Sequence, residues 1–338
     1  MNLRKRVCAA VLTAVLFTFF LPIFFTGCYT DSPVWYDDFN TALSAAQAEN
    51  KDIFLLFTGL KWDTVSEELQ ADVFDTEEFK RGAGKNHVLL RIDIEYITSP
   101  SAGQSSKNYR LATNMGVVAA PSALLVTKAG QPFAFLPMTT STKTPADVLK
   151  LIRAERGREK KVNALYAKMQ KASGTAKIKA TDAYIEAIPE RFHMTLIDLF
   201  ADIVDSDPEN KSGLLGKYKV RKAAFDGAMQ AASGDYDGAV NTFLVLLGES
   251  DLLTPAQIQE LYYAAAYYAM QSTKVSKEDV KTYLQQAYNA APDSSMSADL
   301  LSLIDSFSNI RNAQNAQAQE KADAGNTGAE TESEPKKK

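Results

Sequence analysis

The sequence predicts an α/β domain followed by an all-α region of helical hairpins. Two short apolar runs, 53–57 and 88–93, are typical of buried strands, and each is preceded by a segment in which apolar residues recur at helical spacing. From Glu155 onward the composition shifts to Ala, Lys, Glu and Leu, with few β-branched runs, which favours helices. Strands mixed with helices and then helices alone give a mixed-sheet α/β plan followed by an all-α domain.

The α/β part is expected to occupy residues 35–156. Thr58-Gly59 ends the first strand, and Ala129-Gly130 lies between two later apolar runs, which indicates a hairpin. In chain order we expect a helix at Asn40–Asn50, a strand at Ile53–Phe57, a helix with Val65, Leu69, Val73 and Phe74 on one side, a strand at Val88–Asp93, strands at Ser122–Val126 and Phe133–Leu136, and a helix at Thr144–Arg156.

The first thirty residues have the pattern of a secretory signal. Three of the first six residues are basic, and an uncharged apolar run follows over 7–27. The run is long enough for a spanning helix, which needs about 20 apolar residues, so a retained membrane anchor is the alternative. Phe25-Thr26-Gly27-Cys28 resembles a bacterial lipobox, whose cysteine is lipidated and becomes the N-terminus, although Phe25 stands where an aliphatic residue is usual. Pro22 also favours a cleaved signal over a continuous helix.

The expected mature chain is therefore a lipoprotein without thiols. We expect 1–27 to be the signal and 28–34 a tether, with lipid on Cys28 holding the chain on a bacterial membrane, facing the periplasm or the cell surface. Cys8 would leave with the signal and Cys28 would carry the lipid, and the chain has no third cysteine. The net charge changes from −4 to −7, with 34 basic against 41 acidic residues once the three signal charges are removed. No basic patch stands out in the sequence, so nucleic acid is not an expected partner.

Two separated motifs resemble the thioredoxin-like superfamily, closest to its secreted branch related to thiol:disulfide interchange proteins. The stretch from Phe57 to Ser66 reads FTGLKWDTVS, where that branch has F-T-G-x-x-W-C-x-x-C, and it includes the tryptophan, Trp62. The second motif, Met115–Pro121, is similar to the turn that bears the family's cis-proline. The resemblance covers residues 35–155 and implies a thioredoxin-like fold, with a cis bond before Pro121 and a peptide-binding surface around it.

This chain departs from the family at the two redox positions, where it has Asp63 and Ser66. A working first cysteine lies at a helix N-terminus, which lowers the pKa of the thiol and favours the nucleophilic thiolate. A carboxylate offers no exchange chemistry. We expect Thr64 and Glu67 to form a capping box, with Asp63 adding negative charge beside the first turn. The alternative is that Asp63 and Ser66 bind a cation or a polar ligand.

The helical region is expected over residues 157–311, followed by a disordered tail at 312–338. Gly227, Gly234-Asp235-Tyr236, Ala239 and Phe243 resemble a degenerate tetratricopeptide repeat. The expected helices are 158–172, 176–187, His193–Val204, Lys219–Ser233, Tyr236–Leu247, Pro255–Gln271 and Lys277–Ala290. Four tyrosines of one helix either line a peptide groove or pack in the core: Tyr262, Tyr263, Tyr267 and Tyr268.

Other sites are not supported by the sequence. His87 and His193 have no neighbours at metal-ligand spacing. Asp205, Asp207 and Glu209 imitate the start of a calcium loop, but a helix-ending turn is the better interpretation. We expect no metal and no cofactor. The functional expectation is a protein-binding module or scaffold that contacts envelope proteins or peptides; the alternative is a participant in envelope disulfide homeostasis or chaperone-like folding assistance.

Overall fold

A computed structural model describes residues 32–94, 104–139 and 142–307. The expected signal, Cys28 and the tail lie outside these residues. Among the described residues, the α/β domain holds five strands and five α-helices. The strands are β1 Trp35–Tyr36, β2 Asp52–Thr58, β3 His87–Asp93, β4 Ser122–Val126 and β5 Pro132–Leu136; the helices are α1 Phe39–Glu49, α2 Thr64–Leu69, α3 Glu77–Gly84, α4 Gln104–Asn114 and α5 Pro145–Ala154, with a π-helical turn at Gln70–Phe74.

The five strands form one mixed sheet in the order β1-β3-β2-β4-β5. β1 and β2 run parallel to β3, whereas β4 is antiparallel to both β2 and β5. All seven residues of β2 are buried, so both faces of this central strand are covered. Because β2 and β3 are parallel, both strands begin at one end of the domain and finish at the opposite end.

The predicted strands and hairpin are confirmed, with bounds shifted by one residue at most. Three elements of the α/β domain were not predicted: β1, α3 and α4. β1 is only two residues long and carries no periodic signal. The segment of α4 reads QSSKNYRLATN, which is too polar to show an apolar stripe.

The helical region follows α5 directly, since α5 ends at Ala154 and the next helix begins at Arg156. Its elements are α6 Arg156–Lys171, α7 Gly174–Ala187, α8 Ile197–Ser206, α9 Leu215–Ala232, α10 Tyr236–Leu247, α11 Pro255–Ala269 and α12 Lys277–Ala290, with 3₁₀ turns at Glu190–Leu196 and Ser250–Leu252. The predicted helix His193–Val204 is wrong at its start, because a 3₁₀ turn follows Pro189 and the α-helix begins only at Ile197. No helix among the described residues is both long and apolar enough to cross a membrane.

The buried apolar side chains form two clusters, and they do not divide at the predicted boundary of 156/157. The first cluster runs from the sheet through α6, α7 and α8 and ends at Tyr218 in α9. The second begins at Val220 and holds α10, α11, α12 and the helical residues 297–307. The first helices after the α/β domain therefore complete the core of that domain, and the predicted domain boundary stays a prediction.

The helical hairpins depend on close approaches between neighbouring helices. A Cβ built on Gly227 of α9 would lie 2.6 Å from the Phe243 ring of α10, so only glycine leaves room for that ring. Ala239 is fully buried beside it. The close approach of Gly227 and Phe243 explains the glycine and phenylalanine spacing noted in the sequence, while the tetratricopeptide label itself stays a prediction.

Candidate functional site

The two motifs of the sequence meet at the end of the sheet where β2 finishes. Phe57, next to last in β2, pairs with Ser122, the first residue of β4. The loop 59–63 leaves β2 at this point and the loop 117–121 enters β4 there. Because antiparallel neighbours place the end of one strand beside the start of the next, both loops lie at the same edge. We call this edge the motif end.

Asp63 and Ser66 are joined by hydrogen bonds at the motif end. Asp63 is the N-cap of α2, and its Oδ2 accepts from the backbone N of Ser66 at 2.8 Å and from Ser66 Oγ at 2.6 Å. Ser66 Oγ in turn accepts from the backbone N of Gly59 at 3.1 Å. A polar pair thus joins the positions at which the redox family has its two cysteines.

The predicted capping box of Thr64 and Glu67 is wrong. The helix begins one residue earlier than that motif requires, since Asp63 has extended backbone angles and Thr64 is already helical. The short carboxylate of Asp63 reaches the free N–H at the third helical position, which is the usual geometry of an N-cap. Capping by Asp63 itself therefore replaces capping by Thr64.

The loop before Asp63 is held by three polar contacts. The Trp62 indole donates from Nε1 to the carbonyl of Ile94 at 2.7 Å, although 38% of this residue is exposed. Asp93, at the end of β3, accepts from Thr58 Oγ1 at 3.0 Å and from the backbone N of Leu60 at 2.9 Å. The tryptophan is consequently fixed in place with one part of its ring open to solvent.

The second loop carries the cis bond that the resemblance implies, between Ala120 and Pro121. Val118 is 95% exposed in this loop. The helical region touches the base of the loop through Arg191, whose Nη2 donates to the carbonyl of Gly116 at 3.3 Å. The same guanidinium lies 4.1 Å from the centre of the Phe135 ring. The helical region thus fixes one side of the loop.

The chemistry open to the motif end is limited by composition and burial. No cysteine occurs after Cys28, so no thiolate can form at position 63 or 66. Ser66 is 1% exposed and its hydroxyl is engaged in two hydrogen bonds, which leaves it out of reach as a nucleophile. Within the described part of the chain, no group of His, Asp and Glu side chains is placed to hold a metal ion. The motif end can offer a binding surface, but it lacks the groups for covalent exchange.

The other candidate residues have structural surroundings. Asp207 is buried and accepts from the backbone N of Lys211 at 2.7 Å and of Ser212 at 3.0 Å, which confirms a helix-ending turn. His193 Nε2 lies 3.0 Å from the carbonyl of Ile188. Tyr268 stacks on Phe243 with ring centres 5.8 Å apart.

The four tyrosines of α11 mostly pack in the core. Tyr262, Tyr263 and Tyr268 contact the second apolar cluster, whereas Tyr267 is 49% exposed. This arrangement favours the packing interpretation over a groove lined by all four rings.

A second polar cluster, which the sequence did not reveal, lies at the opposite end of the sheet. Asp52 begins β2 and is 4% exposed; it accepts from the backbone N of Lys128 at 2.9 Å and from Asn163 Nδ2 at 2.6 Å. Burial, and then the nearby carboxylate of Asp52, raises the pKa of Glu159 above its usual value. Burial lowers the pKa of His87, whose Nε2 lies 3.8 Å from Glu159 Oε1. The only sequence signal was an acidic residue at the start of an otherwise apolar strand.

Fold and site together define a thioredoxin-like α/β domain with a mixed five-stranded sheet, followed by a helical C-terminal region. Residues 34–127 match a family described as "Thioredoxin-like". Residues 214–313 match a family described as "Uncharacterised protein C-terminal domain". The second match begins close to the start of α9, where the second apolar cluster also begins.

Individual proteins and structures are similar to this chain at low identity. A protein of Treponema pallidum (strain Nichols) described as "Uncharacterized protein" is 25% identical over 278 residues, which cover 81% of this chain and 90% of that protein. A solved structure of "DsbH Oxidoreductase" is 23% identical with a TM-score of 0.33, covering 37% of this chain and 86% of that one. The oxidised C-terminal domain of Neisseria meningitidis DsbD is 16% identical with a TM-score of 0.28, covering 36% of this chain and 98% of that one.

Proposed function

We propose that this chain is a redox-inactive protein of the bacterial cell envelope, anchored by lipid on Cys28, whose thioredoxin-like domain binds envelope proteins or peptides. One observation carries the proposal. The two positions that bear thiols in the redox family hold a hydrogen-bonded carboxylate and hydroxyl, Asp63 and Ser66, with 2.6 Å between their oxygens. The scaffold around the site is kept while its exchange chemistry is absent.

The exposed apolar side chains around the motif end support binding. Trp62, Val65 and Val118 are 38%, 49% and 95% exposed, and they lie on the two segments that meet at this edge. Clustered apolar side chains on a surface are typical of protein interaction sites. Tryptophan is also among the residues that contribute most to binding energy at such sites.

The binding role is tested by site-specific photo-crosslinking in cells. A photoreactive amino acid replaces Val118 in one variant and Val245 in the other, since both valines are more than half exposed and Val245 lies on α10, away from the motif end. We expect a discrete crosslinked partner from position 118 and none of the same mass from position 245. Identical products from both positions, or none from position 118, would refute a binding site at the motif end.

The anchor is tested separately by Cys28→Ser. Cys28 directly follows the apolar run and a Thr-Gly pair, so its loss should block lipidation and signal removal and leave a heavier precursor. The intact mass of the membrane-bound protein measures this. Normal maturation of the Cys28→Ser chain would contradict the anchor and leave the binding proposal standing.

A further inference from the structure

The end of the sheet where β1, β2 and β3 begin is rich in basic side chains. A cleft of about 680 Å³ opens there between the start of β2, the end of α3 and the first turns of α6. Lysine and arginine outnumber acidic residues in its lining by five to three. The basic residues are Lys51, Lys85, Lys128, Arg156 and Lys160. An adjoining cleft shares Lys85 and Arg156 and adds Arg153.

Part of this positive charge has no ion-pair partner within the described part of the chain. Lys85, Arg153, Arg156 and Lys160 are exposed, and none forms an ion pair with a residue of the described ranges. Of the three acids, Glu49 pairs with Lys51, and Asp52 is buried and accepts from backbone and amide donors. The third, Glu159, is partly buried, and it offsets some of the charge of Arg156 and Lys160. We call the four exposed residues the basic surface. It stands out in a chain whose net charge is −4.

The chain enters the domain beside the basic surface. A Cβ built on Gly84 would lie 2.4 Å from the Pro33 ring, so Pro33 packs against the residue before Lys85. The carbonyl of Gly84 also accepts from Lys51 Nζ at 3.0 Å. Cys28 precedes Pro33 by five residues, and a fully extended chain spans at most about 3.6 Å per residue. The position of Cys28 is therefore within about 18 Å of Pro33.

We infer that the basic surface binds the phosphate groups of anionic lipids in the membrane that holds Cys28. This inference rests on the lipid anchor proposed above and adds the orientation of the domain to it. A tether this short keeps the basic surface near the headgroups, and lysine and arginine close to an anionic leaflet each strengthen binding about fivefold. One lipid chain together with a basic patch is a recognised combination of two signals for stable membrane attachment.

The basic surface and the motif end lie at opposite ends of the sheet. β2 is seven residues long, so at about 3.3 Å per residue the two ends of the sheet are about 20 Å apart. With the basic surface against the headgroups, Trp62 and Val118 face away from the membrane. The proposed binding site is then open to partners in the surrounding compartment.

The test uses the chain from residue 28 onward with Cys28→Ser, so that no lipid contributes to binding. Co-sedimentation is measured with phosphatidylcholine vesicles that contain or lack phosphatidylglycerol. We expect binding to the anionic vesicles only, and weaker binding at higher salt because charges near a surface are screened. The quadruple variant K85Q/R153Q/R156Q/K160Q should bind at least about a hundredfold more weakly. The control K168Q/K171Q/K177Q/K179Q removes the same charge from exposed lysines at the far end of α6 and on α7, and should bind like the parent chain.

Several results would overturn the inference. They are equal binding to neutral vesicles, no binding to anionic vesicles, or the same loss in both quadruple variants, which would indicate a general charge effect. Competition by soluble glycerol phosphate at the same phosphate concentration would identify a small-molecule site instead of a membrane surface. Because the tested chain carries no lipid, the outcome of the vesicle co-sedimentation is independent of the maturation test on Cys28.

Discussion

Asp63 and Asp52 lie at opposite ends of the sheet, and their hydrogen bonds serve different purposes. Asp63 at the motif end caps a single helix and binds a serine that lies in the same turn. Asp52 at the other end joins three elements: β2, the β4–β5 hairpin through Lys128, and α6 through Asn163. The Asp63–Ser66 pair is therefore local to the start of one helix, whereas Asp52 connects the sheet to a helix of the region that follows it. Replacing Asp63 or Ser66 should therefore disturb mainly this turn and the Gly59 N–H that donates to Ser66.

The largest expected effect comes from Asp52→Ala. Lys128 N–H and the Asn163 amide would lose a buried acceptor, and each unsatisfied buried group costs about 1–3 kcal/mol. We expect the free energy of unfolding, measured by urea denaturation, to fall by about 3 kcal/mol. Glu49→Ala is the control, because Glu49 is exposed at the same end and its replacement should change stability by less than about 0.5 kcal/mol. Equal effects of the two substitutions would contradict the bridging role of Asp52.

A smaller effect is expected at the motif end from Ser66→Ala. The substitution removes the acceptor of the Gly59 N–H and one of the donors to Asp63. We expect a loss of about 1–2 kcal/mol in the same measurement. Asp63→Ala, which removes the N-cap, should cost about 1 kcal/mol. A loss at Ser66 as large as that at Asp52 would show that the Asp63–Ser66 pair is not merely local.

The smallest effect is a pH dependence that comes from His87, at the start of β3. Burial lowers the pKa of His87 below its usual 6.5, so the imidazole takes up a proton more readily in the unfolded chain than in the folded chain. The stabilisation is present above pH 6.5 and is lost progressively as the pH falls from 6.5 towards the lowered pKa of His87 in the folded chain. The raised pKa of Glu159 acts in the opposite direction, since it favours the folded state as the pH falls.

The measurement is the melting temperature of the chain and of His87→Gln between about pH 7.5 and pH 5.5. We expect the parent chain to lose more stability over this range than the His87→Gln variant. Parallel curves would show that His87 does not titrate differently in the folded and unfolded states.

The fold was largely predictable because its signals are local. The apolar runs of β2 and β4, the glycine turn of the hairpin and the Tyr236–Leu247 helix are all visible within a few residues. The basic surface was not predictable, since Lys85, Arg153 and Lys160 are scattered along the chain and are brought together only by packing. The capping of α2 was misjudged by one residue, because Asp63 and Thr64 are both good N-caps and the sequence does not decide between them.

The central claim is that the motif end is a thioredoxin site lacking only its sulfur atoms, and one measurement tests it most directly. Insulin reduction is followed for the parent chain and for the double variant Asp63→Cys/Ser66→Cys, with the same reductant and a blank without protein. Position 63 is the N-cap of α2 and its side chain meets that of position 66, so a thiol there would have the low pKa that helix N-termini confer. We predict the blank rate for the parent chain and a rate above the blank for the double variant. Turnover by the parent chain, or none by a folded double variant, would contradict the claim.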